Sequence, residues 1–157
     1  MSEFDDFNDN NTASSTSGLD SILDVDTESA VEPSAVDEGQ YKLRITGFRL
    51  DKLGNVERTS EKGYRYIIVT LDIPSEPTSK GFSKMLGLPN PDMDSKQLNA
   101  VNWEMNCFKK CFGISKGDSY RSMIKKEGWC ILKKVSSEKY GAQNEIAQFV
   151  TGAPDFK

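Results

Sequence analysis

The chain has 157 residues, a formal net charge of -4, three cysteines and no histidine. That length allows one domain with a real hydrophobic core plus some unpacked sequence, and its apolar runs are too short to span a bilayer. The start, MSEFDDFNDN, lacks the basic and apolar stretches of a secretory signal, so a cytoplasmic protein with reduced thiols and no membrane partner is expected.

The acidity comes from one end. Residues 1–38 hold 11 Asp and Glu and no Lys or Arg, and the remaining 13 acids against all 20 bases give residues 39–157 a net charge of +7. A basic domain with a detached acidic tail points to a nucleic-acid partner. Residues 1–38, with NDNNTASSTSG followed by acids, have too little apolar content to offset the entropy of ordering and are expected to form a disordered acidic leader. Leu19, Ile22 and Leu23 fall at i, i+3 and i+4 in LDSILDV, the spacing of a short helical docking motif. The plainer reading is a solvated leader with chance apolar residues.

Order is expected over 39–151, with 152–157 a short tail. In QYKLRITGFRL, Tyr41, Leu43 and Ile45 alternate with Lys42, Arg44 and Thr46, a strand with one apolar and one cationic face. Gly47 breaks the phase, as a bulge would. GYRYIIVTLDI is a second strand, Tyr64 to Ile73, turning Ile67, Val69 and Leu71 inward and Tyr64, Tyr66 and Ile68 outward. GFSKMLGL is a shorter third strand, and three in succession suggest an antiparallel meander.

Asp94 with Gln97 makes a capping box for a helix whose Leu98, Val101, Met105, Phe108 and Phe112 repeat at helical spacing until Gly113 ends it. A weaker helical turn around Tyr120, Met123 and Ile124 is expected to stop near Gly128. WCILKKV and NEIAQFV are two further strands joined by a hairpin in which Gly141 takes positive φ. The fold class expected is mainly β with one or two helices, α+β in type. In detail it is a five-stranded OB-fold-like Greek-key barrel with a helix between strands 3 and 4; a mixed sheet with helices on one side is the alternative.

Catalytic chemistry finds little support. Histidine, the commonest general base and metal ligand, is absent, and SKGDS has Lys and Gly in the wrong order for a phosphate loop. Asp92 and Asp94 are better read as helix caps than as a metal pair. Cys107 and Cys111 lie four apart with only Cys130 left over, so buried free thiols are expected rather than a zinc site. No catalytic residue, metal or cofactor is assigned.

Single-stranded DNA asks for cations along the phosphates and aromatic faces for the bases. Lys42 and Arg44 lie outward on the first strand, and Lys62, Tyr64, Arg65 and Tyr66 cluster at the start of the second. Phe82 with Lys84, Trp129 with Lys133 and Lys134, and Lys139 with Tyr140 repeat the combination later. Singly, each is more readily a covered barrel end or a solvated strand end; their recurrence on a basic domain is what points to a binding face.

The segments EGQYKLRITGFRL, GYRYIIVTLDI, WEMNCFKKCFGI and KYGAQNEIAQFV resemble a family of small phage-encoded OB-fold proteins taken to be single-stranded DNA-binding proteins, over Gly39 to Val150. The resemblance implies a phage or prophage origin, hence the cytoplasm of an infected or lysogenic host, and a role in coating single strands during genome replication or recombination. The acidic segment is N-terminal here, whereas such proteins commonly carry theirs at the C terminus. The function expected is non-enzymatic, sequence-tolerant binding of single-stranded DNA, with replication or recombination proteins meeting the acidic leader and a homo-oligomer open. A protein-interaction module and a strand-annealing recombination protein are the alternatives.

Overall fold

The alternation of QYKLRI becomes strand β1, Gly39–Phe48, with Leu43 and Ile45 completely buried and Lys42 exposed. The structure is a computed structural model that describes residues 18–152. The expectations for residues 1–17 of the leader and 153–157 of the tail lie outside the described residues. The chain divides into two units, Met1–Val31 and Glu32–Lys157.

In the first unit, residues 18–31 are exposed. Leu19, Ile22 and Leu23 are not helical in the chain alone: a turn from Gly18 to Ser21 is followed by irregular chain. Six or seven residues with no packed face cannot sustain an isolated helix.

In the second unit, the sheet is antiparallel and runs outward from β1. On one side β1 pairs with β3 (Arg65–Asp72), which pairs in turn with β4 (Phe82–Gly87). On the other it pairs with β5 (Glu127–Ser137), which pairs with β6 (Gly141–Phe149). A two-residue strand, β2 (Arg58–Thr59), continues the β1 edge of β3 and has no periodicity that sequence could register. Between Ile45 and Gly47 the β1–β3 register shifts by one, with Thr46 the extra residue of the expected bulge. Gly141 turns the last hairpin at φ 71°.

The class is thus mainly β with two helices, but the ladder is open. The edge strands β4 and β6 approach within 8 Å between Cα atoms without pairing. The seam is bridged by side chains and by a segment ahead of β1. Lys80 Nζ donates to Tyr140 O (3.3 Å) and Ala142 O (3.0 Å). Ser34 exchanges backbone bonds with Thr78 and Lys80, and Val36 with the Asn144 side chain. The compact unit therefore begins at Glu32 rather than Gly39. An acidic stretch, EPSAVDE, orders there because its backbone groups find partners, a gain that composition does not reveal.

Helix α1, Ser95–Phe112, starts at the predicted capping box, with Gln97 N–H donating to Asp94 Oδ1 (2.8 Å) and Asp94 N–H to Gln97 Oε1 (3.2 Å), and ends at Gly113 with φ 66°. Its Phe108 and Phe112 rings meet each other and Phe149 of β6 at centroid distances of 5.1, 5.9 and 6.5 Å. Removing Phe108, 1% exposed, is expected to cost about 3–5 kcal/mol. A short helix α2, Tyr120–Met123, is capped by Ser119. Gly128 does not stop it but lies inside β5, where a Cβ would sit 2.5 Å from the Cys111 carbonyl oxygen. It is glycine because strand and helix backbones touch there. No helix among the described residues is long and apolar enough to cross a membrane.

Candidate nucleic-acid interface

Directly paired residues of an antiparallel ladder share a face, so register sorts the candidate residues. Leu43, Ile45, Ile67, Val69 and Leu71 define the core face. The opposite face carries Lys42 across from Trp129, Arg44 across from both Asp72 and Glu127, and Tyr66 across from Arg58 and Gly87. Lys133, across from Glu145, lies further along it. Tyr64 stands half-buried just before β3. Lys42, Arg44, Tyr66, Trp129 and Lys133 are thereby brought onto one sheet face.

The other candidates go elsewhere. Phe82 and Lys84 pair with Leu71 and Val69, on the core side; Phe82 packs against the core and Lys84 reaches Glu104 of α1 at 3.1 Å. Arg65 belongs to the phase opposite Tyr66, and its guanidinium donates to Glu57 Oε1 (3.0 Å) and Pro89 O (3.2 Å). Lys134 stands opposite Asn144 and reaches Asp37 at 3.5 Å. Lys62 is exposed in the turn before β3, while Lys139 lies 5.2 Å from the Tyr140 ring centroid in the β5–β6 turn.

Acids accompany the cations of the outward face. Lys42 Nζ is 3.6 Å from Glu127, Lys133 Nζ 3.6 Å from Glu145, and Arg44 grips Asp72 through Nε (3.2 Å) and Nη2 (2.7 Å). The Asp72 hydrogen bond holds the Arg44 guanidinium above its already high ordinary pKa. These pairs are partly exposed, so each contributes little to stability and is open to exchange with a ligand anion.

A cleft of about 700 Å³ is lined by Gln40, Tyr41, Lys42, Pro74, Glu127 and Trp129. Gln40 contributes a buried Nε2 with no hydrogen-bond partner among the described residues. Toward the other end of the face, Ile68 pairs with Met85, which is 61% exposed, and the Thr46 and Thr70 hydroxyls meet at 2.9 Å. Sequence reasoning missed Gln40, Arg58 and Met85. The phase of GFSKMLGL against β3 decides which of its side chains face outward, and that register is set by pairing alone.

A second cleft, about 670 Å³, lies on the core side between α1, α2 and the start of β3, with Ile67, Met105, Phe108 and Met123 in its apolar wall. At its rim the Tyr120 hydroxyl donates to Glu57 Oε2 (2.7 Å), the same carboxylate that holds Arg65. Burial, reinforced by Glu57, pushes the Tyr120 pKa well up. Glu57 and Arg65 thus brace this rim. In comparisons with known proteins, no family model and no curated protein matched the chain.

Proposed function

We propose that the protein is a non-enzymatic, sequence-tolerant single-stranded DNA-binding protein that takes the strand along the outward face of β1, β3 and β5. The observation that carries this reading is the cross-strand pair Lys42 and Trp129, with Gln40 in the same phase, on the sheet face the core does not use, in a cleft that Tyr41 borders from the core side. A ring for a base and an ammonium for the neighbouring phosphate are the contacts such a ligand needs. Tyr66, Ile68 and Met85 extend the apolar part of the same face.

Strand order supports an OB-like reading: a β1–β3–β4 meander, a helix, then the β5–β6 hairpin returning to pair with β1. This is an argument from fold analogy, and the side chains of the face carry the functional claim. In this reading the protein coats single strands in phage replication or recombination, and the acidic segment meets partner proteins. Because Lys42, Arg44 and Lys133 face carboxylates, binding exchanges those acids for phosphates.

The test is fluorescence anisotropy of labelled oligo(dT) with the full chain at low and moderate salt, with duplex DNA as competitor. Salt-sensitive binding that resists duplex, and that Trp129→Ala and Tyr66→Ala each weaken by about 1–3 kcal/mol, is expected. Arg65→Ala, which removes a cation braced by Glu57, serves as the comparison and is expected to have little effect. No binding at low salt would overturn the proposal and leave a protein-interaction module as the reading.

A further inference from the structure

The geometry points to Cys111 and Cys130 as a redox-active pair that closes to an intramolecular disulfide, cross-linking the last turn of α1 to β5. Their sulfurs lie 3.7 Å apart, in contact. Cys130 is completely buried and Cys111 half-buried, so an oxidant reaches Cys111 first. The two backbones are already pressed together at this point: a Cβ on Gly128 would lie 2.5 Å from Cys111 O and 2.9 Å from Cys111 Sγ. The Cys111 thiol also donates to Trp129 O at 3.1 Å, which keeps its sulfur over β5. Bond formation brings the sulfurs from 3.7 Å to about 2.0 Å.

The two thiols are electrostatically unequal. A hydrogen bond from Cys130 holds the Cys111 pKa down against burial, while the same contact and burial push that of Cys130 up. Cys111 is thus the attacking thiolate and Cys130 the resolving thiol. With glutathione disulfide as oxidant, Cys111 thiolate attacks one of its sulfurs and expels glutathione thiolate, leaving a mixed disulfide. Cys130, as it gives up its proton, attacks Cys111 Sγ and expels the second glutathione thiolate. Two thiol protons and two electrons pass to glutathione disulfide, which becomes two glutathione molecules. Cys107, one turn earlier on α1, is the bystander.

The bond would tie down the strand that carries Trp129, yet its formation does not depend on what that strand binds. The full chain is incubated with glutathione disulfide, quenched in acid, alkylated with N-ethylmaleimide under denaturing conditions, and read by intact mass and peptide mapping. The expected result is one alkylated cysteine in place of three, a Cys111–Cys130 cross-linked peptide, reversal by dithiothreitol and a Tm raised on the order of 5 °C. Cys107→Ser is expected to keep the cross-link. Three alkylated cysteines throughout, a bond involving Cys107, or persistent glutathionylation without cross-linking would each overturn the proposal.

Discussion

The Asn144 side chain is hydrogen-bonded to both backbone groups of Val36: Oδ1 accepts from its N–H and Nδ2 donates to its carbonyl, each at 2.9 Å. The carboxamide acts as a strand neighbour for Val36 on the side of β6, and at 4% exposure it does so out of water. Asn144→Ala leaves two backbone groups without partners, at a cost of about 1–3 kcal/mol for each that stays buried. A lower Tm, with faster hydrogen exchange at Val36, is the expected outcome.

The same pairing separates two truncations. Deleting residues 1–31 removes 8 of the 24 acids and leaves the Ser34 and Val36 pairings intact, whereas deleting 1–38 removes them. The shorter deletion is expected to keep Tm and tighten oligo(dT) binding, and the longer one to lower Tm. The tightening is expected because the deleted acids compete with phosphates for the cationic face, and weaker binding after the shorter deletion would contradict this.

Gly128→Ala places a methyl group 2.5 Å from a backbone oxygen that cannot rotate away. Helix α1 must shift from β5, with a destabilisation of about 1–3 kcal/mol or more. Gly47→Ala is the contrast: its nearest neighbour is a threonine hydroxyl at 3.6 Å, an ordinary van der Waals distance, and its φ is not positive. Thermal denaturation of the two variants is expected to show a large drop for the first and little change for the second.

Asp72→Asn and Glu127→Gln remove the carboxylates that face Arg44 and Lys42. If phosphates displace these acids, each variant binds oligo(dT) more tightly than wild type at low salt, by several-fold. The Lys42→Ala variant should bind more weakly, and its log–log salt slope should be shallower by about 0.7, because one phosphate fewer is neutralised. Anisotropy titrations over a range of salt concentrations measure both effects.

Asp51 closes the loop after β1, accepting at Oδ1 from the N–H groups of Asn55 (2.8 Å) and Leu53 (2.9 Å). The bond from Asn55 first, and that from Leu53 after it, hold its carboxyl below the ordinary value of 3.8. A carboxylate depressed in the folded state stabilises the loop fully above its unfolded value and loses that contribution as pH falls through the lower folded one. NMR titration is expected to show an Asp51 midpoint below 3.8, with the Leu53 and Asn55 amides shifting in the same transition.

Periodicity and cap chemistry are local, and they determined much of this protein before any tertiary contact is known. The alternation of Leu43 and Ile45 or of Ile67, Val69 and Leu71 reports which face is buried, because neighbouring strand side chains point oppositely. The Asp94 and Gln97 box, the Gly113 stop, the bulge at Gly47 and the Gly141 turn follow from residues a few positions apart. What pairing partners decide was out of reach. Arg65 and Tyr66 take opposite faces by the same period of two, but that Glu57 holds the one at the core-side rim and that β2 and β4 flank the other follows from no local signal. Lys84 meets Glu104 because its register with Val69 puts it on the core side, Gly128 lies in a strand because it pairs with Leu43, and Ser34–Val36 is ordered by Ser79, Lys80 and Asn144. Strand register and the meeting of distant segments depend on partners dozens of residues away, and only the folded chain brings those together.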